Sequence, residues 1–379
     1  MDWKGQLTMI YMDNAATNMG NIGEFNINSP YADKTEFENA RTRIANCLRV
    51  SRDNIYFTSG GCEANSWALQ RSGCKNIITT KIEHPSVLNC CKWLEHNGCQ
   101  VVYLDVDKNG YIDLLDLYET INKTPIGAPT LVSIMAVNNE LGTVQNIKGI
   151  RQVIDYHNTL RQKASTETST DFCEPIYYHA DCVQAVGQIK LPYECFDMFS
   201  ASGHKFGYDM GVGFLYSRIP MQPLIFGGSQ EKGLRGGTSN AKSVIAMSHA
   251  LQDKLQNAKA LSRTKELVKH LRDSLKDFDC IINTPEESES GILSVSFKGV
   301  DAEKLMIFLA GFDVYVSAGS ACSTDHKEPS HVLTAIKVPE EYLHGTIRFS
   351  LSSKLTGTED VDKVIAYIKQ YMELTNEQN

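Results

Sequence analysis

No stretch of the 379 residues approaches the roughly 18 apolar residues of a membrane-spanning helix, so no membrane contact is expected. Positive charge is in deficit too. Lys and Arg total 37 against 45 Asp and Glu, a formal net charge of -8. Phosphate backbones are gripped by basic surfaces, so direct nucleic-acid binding is not expected either. Residues 1–17 hold no basic region followed by a long apolar run, which argues against a signal peptide. Cysteine is plentiful, at 11, yet there is no C-x-x-C pair. Cys90-Cys91 followed by Cys99, and Cys173 followed by Cys182, do not match zinc spacing, so no metal site is expected. Without an export signal the thiols are expected to stay reduced, in the cytoplasm. Repeats and low-complexity tails are absent.

What is present is an ordinary globular composition, 42% hydrophobic and 22% charged, in a length that allows roughly two domains. From residue 53, short β-branched runs alternate with helical periods. Strands are expected at 55–58, 76–80, 99–104, 130–137, 176–179, 196–201 and 212–216. Helices are expected after 61, over 85–96 and 113–122, and from about 147. Seven strands alternating with helices predict an α/β fold with a mostly parallel sheet. Residues 161–174, rich in Ser and Thr, read as a surface insertion. The charged stretch from 240 to about 278 reads as a long connecting helix. A smaller α+β unit should follow, with strands at 291–297 and 346–351 and helices at 301–310 and 358–374.

Asp105, Asp107, Asn109, Gly110, Ile112 and Asp116 match positions of a calcium-binding helix-loop-helix. That loop needs a preceding helix, and Val101-Val102-Tyr103-Leu104 reads as a strand. A strand-to-helix turn uses the same Asp, Asn and Gly.

Four strand ends carry chemistry. Ser202-Gly203-His204-Lys205 follows an apolar strand; alone, Lys205 reads as a surface lysine at a turn. Asp181 ends another buried strand, where an unpaired carboxylate is costly. Ser59-Gly60-Gly61 opens a helix whose amides can hold a phosphate. His84 ends a fourth strand. In open α/β sheets these carboxyl ends form the ligand crevice. A phosphate cradle, a carboxylate and a lysine together suit pyridoxal 5'-phosphate. The lysine forms a Schiff base, and the acid keeps the pyridine nitrogen protonated. Cys322 adds a thiol after small residues (Ala318, Gly319, Ser320, Ala321) and before a polar, charged run. That setting reads as a reactive thiol on a mobile loop rather than a buried structural cysteine.

Nine motifs stand in one order: 11–17, Thr58-Ser59-Gly60, Glu83-His84, 137–142, His179-Ala180-Asp181, Ser202-Gly203-His204-Lys205, Arg235-Gly236-Gly237-Thr238, Gly319-Ser320-Ala321-Cys322 and Ile347-Arg348-Phe349-Ser350. On these the chain resembles the class V aminotransferase group of fold type I pyridoxal-phosphate enzymes. Within it, the chain is similar to the NifS/IscS-type cysteine desulfurases. The resemblance implies a large cofactor-binding domain over 13–255, and a small domain over 1–12 and 256–379 that carries the Cys322 loop. It implies that Lys205 is the Schiff-base lysine, Asp181 pairs with the pyridine nitrogen and Gln184 bonds the phenolic oxygen. His84 stacks on the ring and assists proton transfer. Gly61, Cys62, Ser202 and His204 surround the phosphate, and Thr238 comes from the partner subunit of a homodimer. Asn139 and Arg348 hold the carboxylate of L-cysteine, and Cys322 takes its sulfur as a persulfide, leaving alanine.

The chain departs from the family at Cys62, usually Thr, and at 208–211, where a Gly-Pro-Lys-Gly run is typical. With the last helix expected near 358–374, the longer tail often used to dock an iron–sulfur scaffold is not expected. The sulfur-acceptor protein therefore stays open among cluster assembly, tRNA thiolation, DNA sulfur modification and other routes. A selenocysteine lyase or other class V lyase, and an inactive partner-binding homologue, are the alternatives.

Overall fold

Seven strands between Ile55 and Ser217 form one sheet, and their order decides which loops meet. The computed structural model describes residues 27–29, 32–168, 174–318 and 329–376. A first helix, α1 (Thr35–Leu48), precedes β1 (Ile55–Thr58) and α2 (Gly61–Arg71). Then come β2 (Asn76–Thr80), α3 (Pro85–His96), β3 (Gln100–Leu104), α4 (Leu114–Asn122), β4 (Thr130–Ser133) and α5 (Ile147–Thr168). The sheet is completed by β5 (Ile176–Asp181), β6 (Met198–Ser202) and β7 (Gly213–Ser217). The strand order is β1-β7-β6-β5-β4-β2-β3. Pairs β2–β3, β2–β4, β4–β5 and β5–β6 are parallel, while β7 runs antiparallel to both β6 and β1. Two reversals cancel, so β1 ends at the same edge as β6.

Parallel strands covered on both faces read as continuous apolar runs. Strands β1, β2, β4, β6 and β7 are buried at every position, as expected. Trp67 of α2 is fully buried and donates its indole N–H to the Gln222 carbonyl at 2.9 Å.

The remaining elements are α6 (Ala241–Gln256), α7 (Ala258–Ser274), β8 (Cys280–Ile282), β9 (Ile292–Phe297), α8 (Ala302–Ala310), α9 (His331–Ala335), α10 (Glu340–Leu343), β10 (Thr346–Ser350) and α11 (Thr358–Asn376). Strands β8, β9 and β10 form an antiparallel sheet in the order β10-β9-β8. Its core includes Leu293, Val295, Phe297, Leu305 and Ile368, apart from the core of the seven-stranded sheet.

Three expectations change in detail. The single helix expected over 240–278 is two, meeting at Asn257, whose side chain caps α7 by accepting from the Ala260 amide at 3.1 Å. The polar stretch from 161 is not wholly an insertion, because α5 continues to Thr168. Arg161 is buried there and donates to the Glu174 carbonyl at 2.8 Å. The strand expected over 130–137 ends at Ser133, although Ala136 still donates to the Asp181 carbonyl at 2.9 Å. The segment 105–113 follows β3, and Asp107 accepts from the Asn109 and Tyr111 amides as a turn aspartate does. No group of His, Cys, Asp or Glu among the described residues could hold a metal ion. No helix among the described residues is long and apolar enough to cross a membrane.

Candidate active site

Thr58, Gly213 and Ser202 lie in one row across β1, β7 and β6, so the turn after β1 meets the end of β6. The contact is tight. A Cβ on Gly213 would fall 2.8 Å from the Gly60 Cα, and one on Gly61 would fall 2.5 Å from Val183 Cγ2. Only glycine fits both places. Gly60 precedes α2 without a side-chain cap on that helix's first turn. Cys62, its second residue, is an exposed free thiol. Beside it Ser202 Oγ lies 2.9 Å from His204 Nδ1. Lys205 closes the single turn that follows β6 and is exposed.

Asp181 ends β5, one strand over from β6. Its Oδ1 accepts from the Val183 amide at 2.9 Å, and its Oδ2 accepts from Asn65 Nδ2 at 2.7 Å. Burial pushes the Asp181 carboxyl up, opposed by those two bonds and by the charges of His84 and Lys205. No described lysine or arginine lies in ion-pair range of it. Gln184 is half-buried in the turn after β5.

His84 does not end the strand as expected but stands four residues past β2, where it caps α3, and its Nδ1 accepts from the Ser86 amide at 3.1 Å. Burial lowers the His84 pKa, with Asp181 opposing and Lys205 and His331 adding to the effect. The neutral ring therefore carries its proton on Nε2. Asn65 donates its second hydrogen to Ser86 Oγ at 2.9 Å, which lies 2.8 Å from His84 Nδ1. One buried amide thus links the acid to the histidine. The sequence gives a signal for it: a polar residue beside the buried Ala64, Trp67 and Ala68.

Glu83 is also buried. Its Oε1 accepts from Thr80 Oγ1 at 2.8 Å and the Met135 amide at 3.0 Å, while Oε2 has no partner among the described residues. Burial pushes its pKa up to about 8. The folded pKa exceeds the unfolded one, so the contribution is full below the unfolded pKa. It is lost as pH rises toward the folded pKa, by at most about 1.4 kcal/mol per pH unit. Glu83→Gln removes that loss and places its amide where Oε2 has no donor to meet. The variant should therefore gain stability on wild type steadily between about pH 5 and 8 in denaturant melts. A pH-independent difference would contradict a neutral Glu83.

Asn139 follows β4, and its carbonyl accepts from Arg348 of β10 at 2.9 Å. The substrate-carboxylate candidates therefore meet across the two sheets. Two further anchors flank them. Ser330 donates to Glu140 Oε2 at 2.6 Å, and His331 Nε2 donates to the Glu83 carbonyl at 2.9 Å. With Ile82, Leu141, Val332, Leu333 and Ile336 these seat α9 beside the crevice. Sequence reasoning missed Ser330 and His331, because nothing local distinguishes them from a helix start. Thr238 is exposed and bonds to none of the other candidates among the described residues. Cys322 and the motif at 11–17 lie outside the described residues.

The aminotransferase class-V family model matches residues 10–162 and 167–364, and the chain belongs to that family. A protein from Methanosarcina thermophila named cysteine desulfurase IscS is 34% identical, with 96% of this chain and 92% of that protein covered. A solved NifS-like protein superposes with a TM-score of 0.81 at 31% identity, covering 92% of each chain. Another solved chain, described as SspA in complex with cysteine, gives a TM-score of 0.72 at 29% identity, covering 89% of this chain and 94% of that one.

Enzymes of this class use pyridoxal 5'-phosphate. The donor set fits that group. An uncapped helix start beside Ser202 and His204 suits a phosphate. A buried carboxylate with no described cation suits a protonated pyridine nitrogen, and a lysine stands in the same crevice.

Proposed function

We propose that this chain is a pyridoxal-phosphate-dependent cysteine desulfurase. It takes sulfur from L-cysteine onto Cys322, leaves L-alanine, and hands the persulfide to an acceptor protein. The observation that carries the reading is Asp181, buried, bonded through both oxygens and within electrostatic reach of His84 and Lys205. Such a carboxylate needs a cation, and a bound, protonated pyridine nitrogen would supply one.

The cofactor provides an electron sink for the substrate's α-carbon. Asp181 would keep the pyridine nitrogen protonated, with Asn65 fixing the carboxylate. Gln184 would bond the phenolic oxygen, while Gly61, Cys62, Ser202 and His204 would hold the phosphate. Arg348 and Asn139 orient the substrate carboxylate, for which an arginine fork is suited. Lys205, the residue that would hold the cofactor covalently, would also move the α-proton, and His84 would assist. The Cys322 thiolate attacks the substrate sulfur. The carbon–sulfur bond breaks with its electron pair left on the β-carbon, and protonation there together with return of the α-proton completes alanine.

The chain works as a homodimer in which Thr238 reaches the neighbour's phosphate site. The exposure of Thr238 in the single chain supports this. We assign 13–255 to a large domain and 1–12 with 256–379 to a small one, supported by the separate cores. The nine described cysteines are all free, which supports a reducing cytoplasm.

Alanine release from L-cysteine and from L-selenocysteine tests the activity. Purified protein should release alanine and reducible sulfur from cysteine. Release from selenocysteine alone would replace this reading with a selenocysteine lyase.

A further inference from the structure

The segment 224–238 is clamped onto the β1–α2 connection at two points. Glu231 is buried, sits at φ 45°, and takes both arms of the Arg41 guanidinium at 2.9 and 3.0 Å. The same carboxylate accepts from the Phe57 amide in β1 at 3.0 Å. Four residues on, Arg235 forks onto Glu63, with Nε to Oε1 at 2.8 Å and an Nη to Oε2 at 3.1 Å. Glu63 Oε2 also accepts from the Ser59 amide at 2.7 Å. The segment itself is stiff. Gly236 donates to the Ile225 carbonyl at 2.8 Å, and a Cβ on Gly236 would fall 2.6 Å from the Gly227 Cα.

A carboxylate at this position could have capped α2 alone. It is shared with an arginine from a segment 172 positions away, and the fork holds the Glu63 carboxyl below the usual carboxylate range despite its burial. Glu63 lies in the first turn of α2, next to Gly61 and Cys62, and Arg235 lies three residues before Thr238.

We propose that the Arg235–Glu63 ion pair is a positioning device that couples the two cofactor sites of the dimer. This rests on the reading above that Thr238 completes the neighbour's phosphate site. Phosphate bound at Gly61 and Cys62 fixes the first turn of α2. Glu63 then fixes Arg235, and the segment that follows presents Thr238 to the second site. Loading of one site raises the affinity of the other. Arg41–Glu231 holds the base of the segment and is not the transmitting pair.

Cofactor-free dimer titrated with pyridoxal phosphate, followed by its visible absorbance, tests this. Wild type should load with a Hill coefficient above 1. Glu63→Gln should bring it to about 1 and weaken the second site about tenfold, the size of one charge-assisted hydrogen bond. Arg235→Lys keeps the charge but loses the fork, and should behave likewise. It carries the test should Glu63→Gln fail to fold. Dimer mass and melting temperature are followed in parallel. Unchanged cooperativity in a folded variant, or none in wild type, overturns the coupling. A monomeric mass, or full cofactor affinity in Thr238→Ala, overturns the underlying reading and the coupling with it.

Discussion

Lys205→Ala loses the absorbance band near the visible edge, and alanine release from cysteine falls by about 10³-fold or more. Positioned acid–base groups contribute about 10²–10⁴-fold, and this lysine is also the proposed covalent attachment of the cofactor. The fold should survive the change. Lys205 is exposed and closes a single helical turn whose buried member is Gly203. Far-ultraviolet circular dichroism and dimer mass should match wild type. A variant that keeps the band and turns cysteine over normally would remove Lys205 from the site.

The second large effect is expected at Cys322→Ser. The variant should bind the cofactor with its normal spectrum, since no assigned phosphate, ring or carboxylate contact involves Cys322. Sulfide formation from cysteine should be abolished, because a hydroxyl is not ionised at neutral pH and cannot replace a thiolate as nucleophile. Trapping with an iodoacetamide-type reagent after exposure to cysteine should label a persulfide on wild type and none on the variant. Persulfide on another cysteine would move the assignment. Cys62 is the control, being an exposed free thiol.

Much of this site could be read from the chain because strand ends announce themselves. Ile55 to Thr58 followed by Ser59-Gly60-Gly61 marks a buried strand and a phosphate-compatible turn, and the strand occupies those residues. The helices at 85–96 and 302–310 carry their own start signals, His84 with Pro85 and an Asp301 cap. Helix α1 went unread for the opposite reason. Lys34 offers no side-chain cap, and the buried stripe of Phe37, Ala40, Ile44 and Leu48 also buries Arg41. That arginine is held by Glu231, 190 positions away, which no local pattern displays. Glu140 and His331 share this limit, and for Asn65 the local pattern marks a buried polar residue but not its partners. Each acts through a partner brought near by tertiary packing. Charge and spacing mark candidate groups for chemistry more readily than the groups that would hold them in place.

The row of Thr58, Gly213 and Ser202 has a consequence for how the protein is made. Strand β1 pairs with β7, about 155 positions later in the chain. Contacts this distant in sequence form late, because closing the intervening loop is entropically costly. On a ribosome, Gly60 and Gly61 emerge long before the strand they lie against. A nascent chain shorter than about 217 residues has not completed the proposed phosphate cradle. Capture of the cofactor during synthesis must therefore wait until more than half of the polypeptide has left the exit tunnel.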